Sequence, residues 1–269
     1  MKLLLARASM ILSLLLPVYF MVAALGVKFG LWSWQVGLMK LIVQFGVPLI
    51  GFTLLLGLVA LLVSLIRKPR HGWPMALIGL LIPILALGYL VSVRAKSADI
   101  PPIHDIATDI SDPPVFSTKA MATRQSAGAN PVNAMTATMG NLGAYQAPAF
   151  SRIAAKTLGQ VGHEAYPAVR TLKVAAAPAK VLAAAEAEAK AQGWTVVTDD
   201  PAAGVVEATA ETFWFGFKDD VVVRVRADAA GGAIVDVRST SRVGLSDMGA
   251  NAARIRAFLA GLKTRLAGA

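Results

Sequence analysis

The chain contains no cysteine, which excludes disulfide bonds, thiol catalysis and cysteine-ligated metal sites. Charged residues are also scarce, at 16% of the chain, whereas 56% of the residues are hydrophobic. The mean hydropathy of +0.60 agrees with this excess of apolar side chains. A chain of this composition is not a wholly soluble protein.

Acidic residues are absent from the first 98 positions, because all 16 of them lie at or beyond Asp99. The first 98 residues carry a formal charge of +9, and the remaining 171 residues carry +1. The basic character therefore belongs to the apolar segment and not to a separate basic domain. This distribution excludes a nucleic acid as the expected partner.

Three long apolar stretches occupy the N-terminal segment, at residues 8–27, 41–66 and 72–93. About 20 apolar residues are enough for a helix to cross the hydrocarbon core of a bilayer. Tryptophan residues flank the stretches at the positions where indole rings prefer the membrane interface, namely Trp32, Trp34 and Trp73. The sequence predicts a transmembrane region over residues 1–96, with the lipid bilayer as its first partner.

The distribution of Lys and Arg predicts the orientation of these spans. Lys2, Arg7 and the basic turn at 67–70 hold five cations, against four on the other side, which are Lys28, Lys40, Arg94 and Lys96. The positive-inside rule then places the C-terminal domain outside the cytoplasm, in a multi-pass protein of the inner (cytoplasmic) membrane. An alternative interpretation makes the first stretch a signal peptide cleaved near Val22-Ala23-Ala24, which leaves the domain on the same side.

Residues 97–165 are predicted to be an extended strap followed by loops with short helices. The strap, at 101–116, reads PPIHDIATDISDPPVF, and its two Pro-Pro pairs favour extended backbone. The polar sequence from residue 117 to residue 165 is rich in small residues. We expect this region to pack on the domain that follows.

Residues 166–269 are predicted to form a compact domain. A helix is expected at 178–192 and another after a cap at Ser246 or Asp247, with a hairpin closed around Gly231-Gly232. The predicted strands are 169–175, 194–198, 205–210, 212–217, 221–227 and 233–240. The fold class is α+β: a three-helix transmembrane region followed by an antiparallel sheet with two helices packed on one face.

Several segments resemble the family called domain of unknown function 1499, over about residues 100–265. The most specific match begins with DVRSTSRVG at 236–244 and continues from Ser246 to Ile255. Shorter matches are IHDI at 103–106, DPPVF at 112–116, Tyr166-Pro167, Gly193-Trp194 and FKDD at 217–220. The resemblance identifies the domain and implies no catalytic residues.

Four arginines are predicted to share one face of the hairpin, because side chains alternate across a strand: Arg224, Arg226, Arg238 and Arg242. Guanidinium groups suit a carboxylate or phosphate, so this face is a candidate ligand site together with Asp219, Asp220 and His104. The alternative is a solvated face with internal ion pairs. Arg224 or Arg226 would then pair with Asp236, and Arg242 with Asp219, Asp220 or Asp247.

Two other groups of residues have side chains of the kinds found in metal or hydrolase sites. His104, Asp105, Asp109 and Asp112 carry metal-ligand chemistry, but their spacing fits no ligand motif, so we expect no metal or other cofactor. Docking of the strap, with His104 hydrogen-bonded, is favoured instead. A hydrolase site at Ser239, Ser241 or Ser246 is disfavoured because no Gly-x-Ser-x-Gly elbow is present.

The aromatic residues Trp214, Phe215 and Phe217 fit sheet packing, with membrane insertion or ligand stacking as alternatives. Taken together, the sequence favours a noncatalytic function: a membrane-tethered extracytoplasmic (periplasmic) binding or envelope-interaction module. Its partner would be an anionic lipid headgroup or a cell-envelope protein. The alternative is an enzyme that acts on a cell-envelope component at the arginine-rich face.

Overall fold

The computed structural model of the chain describes residues 2–268, so residues 1 and 269 of the predicted regions lie outside the described residues. The chain divides into two units. The first extends to Asp99 and includes the loop Thr212–Gly216, whereas the second comprises Ile100–Glu211 and the chain from Phe217 onward.

Long apolar helices build the first unit. They are α1 (Lys2–Lys28), a π-helical segment (Gln35–Gly46) that continues into α2 (Val47–Ile66), and α3 (Trp73–Ser97). By length and composition, all three continuous helices could cross a membrane. Each predicted span lies within one of them, apart from Gly72, and the helices extend further because Lys and Arg near a span end do not interrupt a helix.

Small residues allow these helices to approach closely. The Ser13 hydroxyl on α1 donates a hydrogen bond to the Gly79 carbonyl on α3, at 2.6 Å. A Cβ atom at Gly57 on α2 would lie only 2.6 Å from that same carbonyl oxygen. Close backbone contact through small residues is typical of helices that pack within a bilayer.

An antiparallel sheet forms the centre of the second unit, as predicted. Its strands are β1 (Asp105–Ala107), β2 (Leu172–Val174), β3 (Thr195–Asp200), β4 (Val205–Glu211), β5 (Lys218–Ala227) and β6 (Ala233–Ser241). The strand order is β1-β6-β5-β4-β3. Strand β2 pairs with the start of β6, on the same edge of β6 as β1, which pairs with the end of β6. Part of the predicted strap thus enters the sheet as the edge strand β1.

The prediction of a strand at 212–217 is wrong, because these residues form a loop between β4 and β5. The Gly216 amide donates to the Thr212 carbonyl at 3.1 Å, and Gly216 has a φ of 64°. This left-handed conformation turns the chain, and it overrides the strand preference of the aromatic residues.

The helices of the second unit lie on both sides of the sheet. They are α4 (Thr118–Ser126), α5 (Leu158–Ala165), α6 (Pro178–Ala191) and α7 (Ala250–Ala267). As predicted, α6 and α7 cover the apolar face, where the rings of Trp194 and Phe258 stack at 5.2 Å between centroids. The helix α7 is capped by Gly249 and not by Ser246 or Asp247, although the Asp247 carboxylate accepts hydrogen bonds from the Gly249 and Asn251 amides.

The two faces of the central hairpin differ in chemistry. Val221, Val223 and Val225 of β5 point to the apolar face and are each at most 4% exposed. The intervening positions Asp220, Arg224 and Arg226 point the other way, as strand alternation requires. This second face carries the predicted arginines, and the strap and α4 contact it.

Candidate functional site

The arginine face, defined here by Arg224, Arg226, Arg238 and Arg242, lies on β5, β6 and the residue that follows β6. The strand register places Arg224 opposite Asp236 and Arg238 opposite Val222. The alternation therefore brings the four predicted arginines to one side of the sheet. Acidic side chains from the sheet and from the strap lie between them.

Asp236 is the acid at the centre of one group. Its side chain is fully buried and accepts hydrogen bonds from Arg226 at 2.8 Å and from Arg224 at 3.2 Å. The Thr171 hydroxyl donates to it as well, at 2.6 Å. Both arginines thus pair with Asp236, which is the alternative that the sequence left open.

Asp112 of the strap contacts the same two arginines from the solvent side. Its Oδ2 lies 2.7 Å from Arg226 Nη1 and 3.2 Å from Arg224 Nη1. The positive charge of Arg224 holds the pKa of Asp112 below its ordinary value. Asp112 nevertheless remains exposed, and the Arg226 side chain is 40% exposed, so this end of the face is open to water.

Arg238 occupies the buried part of the face. Its Nε and Nη2 donate to the two carboxylate oxygens of Asp105 on β1, at 2.9 and 2.7 Å. The side chains are 4% and 0% exposed, and the Thr240 hydroxyl donates to Asp105 at 2.7 Å. The remaining donor of Arg238 Nη2 reaches the Asn133 carbonyl at 2.6 Å. This is a closed bidentate pair that joins the strap to the sheet.

Asp220 binds two arginines at once. Arg242 donates to it through Nε and Nη2 at 2.9 and 2.7 Å, and Arg124 of α4 donates through Nη1 at 2.6 Å. Burial alone would raise the pKa of Asp220, but the hydrogen bonds and charges of Arg242 and Arg124 lower it. In return, the hydrogen bond that Arg242 donates to Asp220 raises the pKa of Arg242. Arg124 was not predicted for the site, because its polar segment has no periodicity that indicates a partner 96 residues away.

Asp219, a predicted site residue, points to the opposite face from the arginines. Its carboxylate accepts a hydrogen bond from Arg254 of α7 at 2.5 Å. Arg254 also donates to Asn251, and Asn251 joins Ser239, Ser241 and the His104 carbonyl. The family resemblance includes the segments at 236–244 and 246–255, but the sequence pattern did not predict that these side chains form one buried network.

His104, also predicted for the site, is separated from the arginine face. Its ring is buried, with Nδ1 at 3.4 Å from the Leu245 carbonyl oxygen and 3.5 Å from the Tyr145 hydroxyl. Its Nε2 has no hydrogen-bond partner among residues 2–268. Because adjacent residues on an extended chain point to opposite sides, His104 and Asp105 do not converge. Within the described part of the chain, no group of three or more His, Asp or Glu residues could hold a metal ion.

One carboxyl group of the second unit has a raised pKa. Burial raises the pKa of Asp247, and the same cause raises the pKa of Tyr145 and of Tyr166 to about 12. However, both oxygens of Asp247 already accept amide hydrogen bonds at the start of α7, and the like charge of Asp219 adds to the rise in its pKa. The raised pKa therefore has a structural cause.

A second candidate region is the aromatic loop, defined as Thr212–Gly216, which belongs to the first unit. Phe213 and Trp214 pack edge to face, yet they remain 69% and 52% exposed. The Lys28 ammonium group donates to the Phe213 carbonyl at 2.7 Å and lies 4.6 Å from the centre of the Phe213 ring. The loop is thus held at the end of α1, with the Phe213 and Trp214 side chains exposed.

Comparison with known proteins places the second unit in a family. The profile of the family described as "Protein of unknown function (DUF1499)" matches residues 105–262, which include the sheet and most of α7. The search of curated proteins gave no match. Since the matched segment covers more than half of the chain, this protein belongs to the DUF1499 family.

Proposed function

We propose that the chain is a noncatalytic, membrane-tethered binding module that engages a component of the cell envelope. The observation that carries this proposal is the aromatic loop. Although the loop joins two central strands of the family domain, it groups with the apolar helices and keeps Phe213 and Trp214 exposed. Exposed aromatic residues beside a membrane span are suited to contact lipid or a membrane-bound partner.

The arginine face supports the noncatalytic part of this proposal, because acidic side chains of the protein itself already pair with its arginines. Its guanidinium groups donate to Asp105, Asp220, Asp236 and Asp112 of the chain itself. An external carboxylate or phosphate would have to displace one of these acids. Displacing Asp105 or Asp236 would leave a buried charge without its partner, which is strongly unfavourable. We therefore assign the face a structural role in fixing the strap on the sheet.

We further propose that the second unit lies outside the cytoplasm and that the spans cross the inner membrane. Lys2 supports this orientation, because its ammonium group donates to the Pro69 carbonyl at 2.6 Å. Lys2 and the basic turn at 67–70 therefore lie at one end of the helices. The positive-inside rule favours the cytoplasm for that end.

Reporter fusions test the location directly. Alkaline phosphatase fused after residue 269 is expected to be active, and a fluorescent protein that matures only in the cytoplasm is expected to be dark there. Fusions after Arg70 serve as the matched control and are expected to give the reverse pattern. An active fluorescent fusion after residue 269 would contradict the extracytoplasmic location.

The enzymatic alternative, acting on an envelope component at the arginine face, remains a prediction with its own test. Asp112 is the exposed acid at that face, so a substrate anion could reach Arg224 and Arg226 by displacing it. The substitution Asp112→Asn should then increase the affinity of the full chain for a phosphate or carboxylate ligand. Unchanged weak binding of inorganic phosphate and acetate would argue against such a site.

A further inference from the structure

The first unit contains an apolar cavity of about 530 Å³. Side chains from the C-terminal halves of α1 and α3 line it, including Ala24 and Ala86, and Trp214 and Phe215 of the aromatic loop contribute as well. Cavities of about 300–1,000 Å³ are typical of small-molecule sites. The aromatic loop, which carries the proposed function, is thus part of a defined cavity.

The π-helical segment forms another wall of this cavity, through Leu38 and Ile42. The Tyr19 hydroxyl donates to the Leu41 carbonyl at 2.7 Å and so satisfies a backbone group in this segment. π-helical turns are rare and occur frequently at functional sites. The irregular helix therefore provides an independent sign that the cavity has a function.

The lining determines the chemistry of an occupant. A buried water needs two to four polar partners, and this lining offers little beyond the Tyr89 hydroxyl. Since the cavity lies among helices that could cross a bilayer, the surrounding apolar medium is lipid hydrocarbon. An acyl chain matches both the apolar lining and the available medium.

The charges near the cavity favour a lipid of one sign. Lys28 ends α1 and Arg94 lies in the last turn of α3, one residue beyond Val93 of the lining. No acidic residue occurs in the first 98 positions to neutralise them. Cations beside a membrane span attract anionic headgroups.

We propose that the cavity binds one acyl chain of an anionic phospholipid, with its headgroup beside Lys28 and Arg94. The proposal rests on the proposed function, because it names the ligand of that binding module. In this proposal, Trp214 and Phe215 of the aromatic loop contact the acyl chain. The headgroup preference then comes from the cations, and retention of the lipid comes from the cavity.

Native mass spectrometry of the detergent-purified full chain tests the proposal after exchange into phosphatidylglycerol or phosphatidylcholine. The wild-type chain should retain one phosphatidylglycerol. The substitution Ala86→Phe fills the cavity and should reduce retention by about tenfold. Leu85→Phe is the matched control, because Leu85 is 71% exposed and does not line the cavity, and it should leave retention unchanged. Equal retention by all three proteins would overturn the proposal.

Two measurements make the result independent of how Ala86→Phe folds. Vesicles of brominated phosphatidylglycerol should quench tryptophan emission in the wild-type chain more than in Trp214→Phe. The substitution Lys28→Gln should weaken the preference for phosphatidylglycerol over phosphatidylcholine. Identical quenching in the two proteins would contradict the contact between Trp214 and the acyl chain.

The outcomes also separate this proposal from the function on which it rests. Retention of a protein partner with no lipid, together with an extracytoplasmic reporter pattern, would overturn the lipid site and leave the binding module standing. A cytoplasmic reporter pattern with specific lipid retention would support the cavity and contradict the location.

Discussion

The two ends of the arginine face contain the same chemistry in different surroundings. At the inner end Arg238 and Asp105 are 4% and 0% exposed, whereas at the outer end Arg226 and Asp112 are 40% and 62% exposed. An exposed ion pair contributes little because water screens it, but removing one partner of a buried pair leaves an uncompensated charge. Burial, and not residue type, decides which arginines the fold depends on.

The largest effect is expected at the inner end. The substitution Asp105→Asn leaves Arg238 buried with no full negative partner and should destabilise the second unit by about 3–5 kcal/mol. Hydrogen exchange of β6 amides in the full chain, held in nanodiscs, measures this change. An effect near zero would contradict the structural role of the pair.

An intermediate effect is expected at the junction of α4 and the sheet. The substitution Arg124→Gln removes one of the two arginines on Asp220 but leaves Arg242 in place. The loss should be about 1.5–3 kcal/mol, the usual range for hydrogen bonds to charged groups. Lys119→Gln on the same helix is the control, since its side chain is exposed. Protection of α4 and β5 against hydrogen exchange distinguishes the two variants.

Acid should weaken the same junction. Because the pKa of Asp220 is lowered in the folded chain, its stabilisation is complete above the unfolded value of about 3.9 and is lost as the pH falls through the folded value. Asp247 contributes to the pH dependence with the opposite sign, because its pKa is raised in the folded chain and its contribution to stability therefore increases as the pH falls. The substitution Asp220→Asn should therefore reduce the decrease in stability that occurs as the pH falls. Thermal unfolding at a series of pH values measures this decrease. An unchanged pH profile would contradict this assignment.

The smallest effect is expected at the outer end. The substitution Asp112→Asn should not measurably change the stability, because Asp236 still pairs with Arg224 and Arg226 from the buried side. Hydrogen exchange of the strap provides the measurement. A loss as large as that of Asp105→Asn would remove the distinction between the two ends of the face.

Local patterns in the sequence predicted much of this architecture. Apolar length predicted the three long helices of the first unit, and alternation of valine with arginine predicted both the hairpin and the shared face. The loop at 212–217 was missed because aromatic residues favour strands and the pattern did not reveal the turn at Gly216. The helix cap was misplaced by a few residues because Asp247 bonds the first amides from outside the helix.

Contacts between distant segments could not be predicted from these patterns. Arg124 reaches Asp220 across 96 residues, and Asp105 reaches Arg238 across 133. Alternation could place the arginines on one face, but it could not show which acids of the strap would fill the space between them. The separation of His104 from that face likewise depends on which residues of the strap join β6.

The central claim is that the arginine face is an internal scaffold and not an anion site, and Arg238→Gln tests it most directly. Hydrogen exchange of β6 is measured in the full chain, in nanodiscs with and without phosphatidylglycerol, and Arg226→Gln is the exposed control. If the face is a scaffold, Arg238→Gln should lower the opening free energy by about 3–5 kcal/mol, equally with and without phosphatidylglycerol. Arg226→Gln leaves Arg224 on Asp236 and should cost less, about 1.5–3 kcal/mol. An unchanged stability together with loss of lipid-dependent protection would contradict the scaffold and assign Arg238 to ligand binding.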